Sequence, residues 1–372
     1  MQAVTAAMEE IARAFVPRGA VLGILPHGRG LINDTYLVST DDPARPRLIL
    51  QRINRRAFPE PELIIANLRT LLEHIHVRQQ RDTRERDLRF PDLCPARDGR
   101  DFMLDAEGAL WRALSYLENT CTFDKPDGPS RAAETGFALG RFHALVSDLD
   151  TRRLHDTRPD FHNTPRHLER FDRARASAGA LPEAEELGFC LSFIGARRRL
   201  AGELETARLK GQLPVRVIHG DPKLNNFLFD ETGGHAVSLI DLDTVKPGLL
   251  QHDVADCLRS CCNRAGESPG LGEPVRFDLE ICHALLQEYF AALGDRAPFT
   301  DMDLLYAAIR LIPFELGVRF LTDYLEGNRY FRIEYPEQNL VRATTQLRLS
   351  AEIELSEKDI KGMIGELVMG DG

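Results

Sequence analysis

The hydrophobic pattern of the chain changes once, near Asn119, and that change limits the folds open to it. Before it, short apolar runs alternate with polar residues at the period of two that marks half-buried strands. The run "AVLGILPHGRGLINDTYLVST" reads as two strands around a turn bearing Gly28 and Gly30, and "RLILQRIN" as a third. "PELIIANLRTLLEHI" follows as an amphipathic helix, with apolar residues at Leu63, Ile64, Leu68, Leu71 and Leu72. "DFMLDA" and "ALWRALSYL" are two more strands, and residues 4–16 form a helix ahead of the first. The sum is a small, mostly antiparallel sheet with one main helix.

After Asn119 the period becomes helical. "RAAETGFALGRFHALVSDL", "LPEAEELGFCLSFIGARRRLAGELETARLKG", "DLEICHALLQEYFAAL", "TDMDLLYAAIRLIPFELGVRFLTDYLEG" and the terminal "SEKDIKGMIGELVMGDG" all carry it. Residues 151–166 carry no period and read as a connecting loop. The strong strand signals in this half are "VRVIHG" and "HAVSLIDLD". At 372 residues the chain exceeds what one core usually serves. An α+β, two-lobed architecture is therefore expected: a β-rich lobe over 1–117 and a helical lobe over 118–372 with a short β insert.

Composition narrows the function classes. The 43% hydrophobic and 28% charged residues are those of a soluble globular protein. A net charge of −10 argues against a general nucleic-acid binder. No apolar run is long enough to span a membrane, and the N-terminal stretch, with Glu9 and Glu10, lacks the form of a secretory signal. A cytoplasmic protein is expected. The seven cysteines are odd in number and follow no zinc spacing; Cys261 and Cys262 read as core.

The β insert holds the polar cluster. "RVIHGDPKLNNFLFD" and "LIDLDT" set Asp221, Lys223, Asn226, Asp241 and Asp243 on two strand-like segments joined by "DETGGHA". A hairpin of this kind brings Asn226 and Asp241 to one end. Carboxylate and amide oxygens without paired His or Cys suit a hard cation such as Mg2+. Asp221 is placed to accept a proton from a substrate hydroxyl, and Lys223 to bring positive charge to a transferring group. An Asp followed five residues later by an Asn, then by an Asp after a strand, is the layout of a kinase catalytic loop and its metal ligands. The upstream glycine turn fits a phosphate cover. His219 reads as a buried residue bracing the loop. Asp253 reads as structural, as a helix cap or a loop brace, and Asp323 and Glu326 as solvated.

"HGDPKLNN" followed by "IDLDT" resembles the aminoglycoside-phosphotransferase/choline-kinase group, and most closely its N-acetylhexosamine 1-kinases. "LILQRINRRAFP", "GVRFLTDYLEGNRYF" and "YPEQNLVRATTQLRL" extend the resemblance from residue 19 to about 349. It implies a protein-kinase-like fold and transfer of the γ-phosphoryl of ATP, with Mg2+, to a small-molecule acceptor, most closely the anomeric hydroxyl of an N-acetylhexosamine. It implies Asp221 as base, Asn226 and Asp241 as magnesium ligands with Asp243 joining them, and Lys223 near the transferred phosphate. Arg319 and Tyr330 match positions that hold the sugar, with Thr244 at the same pocket. ATP would lie against Gly28, Gly30, Asn33 and Thr35, with adenine at the link Ser115–Glu118, which includes Leu117.

The chain departs from this pattern at Leu31, where a His is expected, and at Leu114, where a Tyr is expected. Both put the exact sugar in doubt. The lysine of the third strand is also absent. Gln51 and Arg52 are its candidates and lie on opposite faces by alternation; resemblance favours Gln51 and charge favours Arg52. Three alternatives stay open: a kinase of an aminoglycoside, choline or methylthioribose, a nucleotide-binding pseudokinase, and, least supported, a glycosyltransferase with "DLD" as its metal site. The sequence leaves the oligomeric state open.

Overall fold

The computed structural model describes residues 6–28, 32–81, 86–125, 127–179, 183–231, 234–267, 273–294 and 302–369. Gly30 and Leu31 lie outside them. The first half forms an antiparallel sheet of β1 (Val21–Pro26), β2 (Asp34–Thr40), β3 (Arg47–Arg52), β4 (Leu93–Cys94), β5 (Met103–Leu104) and β6 (Leu110–Ser115). The strand order is β1-β2-β3-β6-β4, with β5 also on β6. Helix α1 (Ala6–Ala14) leads into Phe15, which is buried with Val38, Leu48, Leu50, Trp111 and Ala113 in one apolar cluster.

Helix α2 (Pro61–Gln79) divides its apolar residues between two cores. Ile64 and Ile65 pack with Ile53, Phe58 and Leu110 beside the sheet, whereas Leu68, Leu71 and Ile75 belong to the main core of the helical half. Polar contacts reinforce this bridge. The buried Asn67 donates Nδ2–H to the carbonyls of His155 (2.8 Å) and Val245 (3.0 Å), and its Oδ1 accepts from His155 N (2.8 Å).

Strand β7 (Thr120–Cys121) follows the link. The helical half contains α3 (Pro129–Leu145), α4 (Thr164–Ser177), α5 (Glu185–Arg197), α6 (Glu203–Leu209), α7 (Leu250–Cys261), α8 (Leu279–Leu293), α9 (Met302–Leu325), α10 (Gln338–Leu355) and α11 (Glu357–Met369). Strands β8 (Arg216–Ile218), β9 (Phe227–Asp230), β10 (Ala236–Leu239) and β11 (Lys246–Gly248) form the insert. β9 pairs with β10 and β7, and β8 with β11, all antiparallel. α3 and α8 approach closely because Gly136 and Gly140 face the backbone of Leu285 and Tyr289, where a Cβ would collide.

Helices α4 and α10 have no counterpart in the sequence reading. α4 begins at Thr164, inside the stretch taken as a loop. Asn163 caps it by accepting from Arg166 N (3.3 Å), and a proline sits in its first turn. Such a cap followed by proline is a helix-start signal that apolar periodicity alone does not register.

Candidate active site

The catalytic-loop segment runs from β8 to β9 and is held from behind by α7. Asp253 is fully buried and accepts from His219 N (2.6 Å), Gly220 N (2.8 Å) and His143 Nε2 (2.9 Å). It braces the loop rather than capping the helix. At the other end Leu224 N donates to Ser260 Oγ (2.9 Å), again from α7. His219 donates Nε2–H to Ile240 O (2.9 Å) and accepts at Nδ1 from Asp221 N (3.2 Å). Burial lowers its pKa, which keeps the ring neutral for this pair of bonds. Its role is therefore a brace, as its sequence position suggested.

Gly220 is required by shape. Its φ is +89°, and a Cβ there would lie 2.7 Å from Thr244 O. Thr244 packs on it and spends its hydroxyl on His219 O (2.8 Å). Thr244, expected at the substrate wall, is thus buried and acts on the loop.

Asp221 Oδ2 accepts from Lys223 Nζ (2.9 Å). Burial opposes its ionisation, but Lys223, followed by His219 and Arg259, holds its pKa below the ordinary value. Lys223 is itself raised: Asp221 and Asp241 overcome the burial that acts against it. Asn226 donates Nδ2–H to Asp221 O (2.7 Å), and among the described residues no donor is bonded to its Oδ1. The β9–β10 hairpin brings it to Asp241, since Ile240 N donates to Asn226 O (2.8 Å). Asp241 adopts a left-handed conformation, φ 64° and ψ 51°, uncommon outside glycine. Its recess among protein groups, with Asp243 adding like charge, pushes its pKa up to about 6. Its side chain is reached by solvent, and Lys223 and Arg112 offset part of the like charge of Asp243 and Asp221.

Asp243 differs from expectation. Its Oδ2 accepts from Asn33 Nδ2 (2.8 Å) and its Oδ1 is paired with Arg112, so both oxygens are committed to protein donors. Gln51 lies on this inner face: it donates to Thr35 Oγ1 (3.2 Å) and accepts from Arg112 Nη2 (2.8 Å). Arg52 turns to the opposite face and pairs with Glu107 (3.2 Å). Alternation along β3 therefore brings Gln51, not Arg52, to the cleft. Gly28 takes φ +73° two residues after β1. In the link, Leu117 is half-buried and its carbonyl accepts from Thr120 Oγ1 (2.8 Å). Leu114 lies on β6 opposite Ile49 and packs against the helical core.

On the other side of Asp221, Arg158 and Arg319 share Phe161. Their guanidinium carbons lie 4.0 Å and 4.8 Å from its ring centre. Arg158 also donates to the Tyr330 hydroxyl. Among the described residues, neither guanidinium has a carboxylate partner within ion-pair distance. Burial and the like charge of Arg319 push the Arg158 pKa down, against the pull of Tyr330 and Asp221.

Glu315, Arg319 and Asp323 recur every four residues along α9 and so lie on one face. Glu315 accepts from Thr164 Oγ1 (2.6 Å) and contacts His162 Nδ1 (3.3 Å), while His162 Nε2 donates to Gly220 O (2.9 Å). Asp323, taken as solvated, is buried. It accepts from the backbone N–H groups of Arg329 (2.9 Å), Tyr330 (2.8 Å) and Phe331 (3.0 Å), thereby fixing Tyr330. Glu326 pairs with Arg170 at the surface.

Arg112, Arg158, Asn67 and Glu315 are the site residues that the sequence reading missed. For Arg112 a signal existed: a cation at an inward position of the apolar strand "ALWRALS". Arg158 sits in an aperiodic loop, which offers none.

Among the described residues no three His, Cys, Asp or Glu side chains converge as a metal cage. The amide oxygen of Asn226 and the carboxylate of Asp241 nevertheless fit Mg2+, which takes its remaining ligands from phosphate and water.

A β-sheet N-terminal region followed by a mostly helical C-terminal part is a kinase-like fold, and the chain is a small-molecule phosphotransferase. Residues 23–294 match the phosphotransferase enzyme family, and the chain belongs to that family. Its fold is similar to an aminoglycoside phosphotransferase from Alicyclobacillus acidocaldarius (15% identity, 97% of this chain and 98% of that one, TM-score 0.61). It is also similar to a microcompartment-associated aminopropanol kinase (14%, 95% and 97%, TM-score 0.57). A third is a choline kinase from Streptococcus pneumoniae (13%, 89% and 94%, TM-score 0.51).

Proposed function

We propose that the enzyme transfers the γ-phosphoryl of ATP to a hydroxyl of a neutral, oxygen-rich acceptor, best read as the anomeric hydroxyl of an N-acetylhexosamine. The observation that carries the choice of acceptor is the pair Arg158 and Arg319 near Asp221, neither of which has a carboxylate within ion-pair distance among the described residues. Cationic acceptors such as aminoglycosides and choline call for carboxylates at this position. Guanidiniums and the Tyr330 hydroxyl instead donate hydrogen bonds to sugar oxygens and an acetamido carbonyl.

In this reading the lobes divide at residues 117 and 118, and ATP lies between them under the Gly28 turn, with its base at Leu117. Related structures hold GDP with kanamycin, and ADP with spectinomycin, which supports a nucleotide in the cleft. Asn226 and Asp241 would hold Mg2+, which when bound neutralises charge on the phosphates. Asp221 orients the acceptor hydroxyl and takes its proton as the acceptor oxygen–phosphorus bond forms and the bond to the ADP oxygen breaks. Lys223 keeps Asp221 ionised for this and brings positive charge to the transferring group. The loose transition state leaves most of the rate to positioning and electrostatics.

The test is ADP release from magnesium-ATP across N-acetylglucosamine, N-acetylgalactosamine, their parent hexoses, kanamycin, choline and methylthioribose. Turnover with the acetylated sugars and a 1-phosphate product by phosphorus NMR is expected. Turnover with kanamycin or choline alone overturns the sugar reading. Nucleotide binding without turnover of any acceptor supports a pseudokinase.

A further inference from the structure

The inner face of the sheet carries a row of polar side chains in cross-strand register. Thr35 stands opposite Gln51, and Gln51 opposite Arg112. Residues paired in this way point to the same face. The row is closed by hydrogen bonds: Gln51 Nε2 to Thr35 Oγ1 (3.2 Å), and Arg112 Nη2 (2.8 Å) and Nε (3.1 Å) to Gln51 Oε1. Arg112 then crosses to the catalytic half through its ion pair with Asp243. The row thus ends at Asp243, close enough for the Arg112 charge to act on Asp241.

Arg112 is only 1% exposed. A charge this deep is costly unless it is neutralised and its donors are used. Asp243 neutralises it, and Nε and Nη2 are used. Nη1 is buried and, among the described residues, has no hydrogen-bond partner. An orphaned donor on a buried cation costs ~1–3 kcal/mol or more, so the position calls for an acceptor that the described residues do not provide.

The sheet offers no other cation there. β1, β2, β3 and β6 contain the arginines 47, 52 and 112 and no lysine. Arg47 pairs with Glu118 in the link, and Arg52 turns to the outer face toward Glu107. In the kinase template a lysine on the third strand meets the phosphates; here Gln51 stands on that strand and presents its carbonyl to Arg112 instead.

We infer that Arg112 is the cation by which the sheet binds the phosphates of the nucleotide, delivered from β6 in place of a third-strand lysine. Gln51 and Asp243 fix the plane of the guanidinium, and Nη1 donates to a phosphate oxygen. A planar fork held on two sides keeps its geometry better than a flexible lysine. The inference rests on the reading of the cleft as a nucleotide site, and the test separates the two.

Binding of ATP, ADP and adenosine is measured by calorimetry in the presence of a metal chelator, with saturation-transfer NMR for adenosine. Arg112→Gln removes the charge. Arg112→Gln combined with Asp243→Asn removes the charge and the partner it would leave buried alone. Both weaken ATP and ADP by about 10–100-fold, the worth of a hydrogen bond to a charged group, and leave adenosine unchanged. Arg112→Lys keeps a cation for Asp243, and hence the fold, but loses the fork. It weakens ATP by about tenfold, again without effect on adenosine. An unchanged ATP affinity, or equal losses for ATP and adenosine, overturns the inference and makes Arg112 a structural strut. A wild-type protein that binds neither ligand overturns the nucleotide reading itself.

Discussion

Replacing Asp253 by Ala tests whether α7 sets the catalytic loop. The carboxylate is fully buried and accepts from His219 N, Gly220 N and His143 Nε2 at 2.6, 2.8 and 2.9 Å. Alanine leaves these donors facing a cavity. Removing one partner of such a buried charged network costs ~3–5 kcal/mol. A chain of 372 residues unfolds with an entropy near 0.8 kcal/mol per degree, at ~2.1 cal/mol/K per residue. The melting temperature should therefore fall by about 4–6 °C. Asp253→Asn keeps the volume and one acceptor oxygen, and should lose less. The kinetic consequence is separate. Gly220 precedes Asp221, so a loop released at Gly220 displaces the base, and a shift of ~1 Å costs about 100-fold in turnover. Thermal unfolding by circular dichroism and ADP release with the best acceptor of the panel measure the two effects. The nucleotide KM should stay near the wild-type value, because Asp253 lies behind the loop. A melting temperature within about 1 °C of wild type, or full turnover in the alanine variant, would refute the bracing argument.

Three further outcomes are expected. Asp221→Asn should nearly abolish turnover while leaving ATP affinity within about twofold of wild type, read by calorimetry and ADP release; retained turnover would remove Asp221 as base. Gly220→Ala forces a side chain into φ +89° and against Thr244 O, so it should cost ~1–3 kcal/mol by chemical denaturation and slow turnover; a neutral result would mean the loop is free to relax. Glu315 is buried, and the imidazoles of His167 and His162, with Arg319, overcome that burial to hold its pKa down to about 2 from 4.5. The folded state thus binds its proton less readily than the unfolded chain. Its contribution is complete above pH 4.5, is lost as the pH falls toward 2, and is of order 3 kcal/mol. Glu315→Gln should flatten the stability profile in that window, and an unchanged acid profile would refute the coupling.

The two-period pattern, the hairpin that joins Asn226 to Asp241, and the Asp221–Asn226 spacing were legible in the sequence because they are local. Strand alternation and a short connecting turn fix which residues share an end before any long-range packing forms. α4 carries helical spacing at Leu168, Phe171 and Ala174, but its start lies inside an aperiodic stretch and is marked there by the Asn163 cap. Gln51 and Arg52 were indistinguishable by type, and alternation only said that they differ. Which face met the cleft depended on β3 pairing with β2 and with β6, the latter from Gln51 to Arg112, 61 residues apart in sequence.

The rest belongs to tertiary structure alone. Asp243 reads as a third metal ligand, and only the fold shows that Arg112, 131 residues away, and Asn33 engage its oxygens. Asp323 reads as a solvated helix residue until the chain returns three backbone N–H groups to it. Thr244 reads as a pocket residue until its hydroxyl is found on His219 O. The residue types announce which chemistry is available. A buried polar group takes its role from whichever partner the fold brings within hydrogen-bond reach, and sequence separation carries no information about that distance.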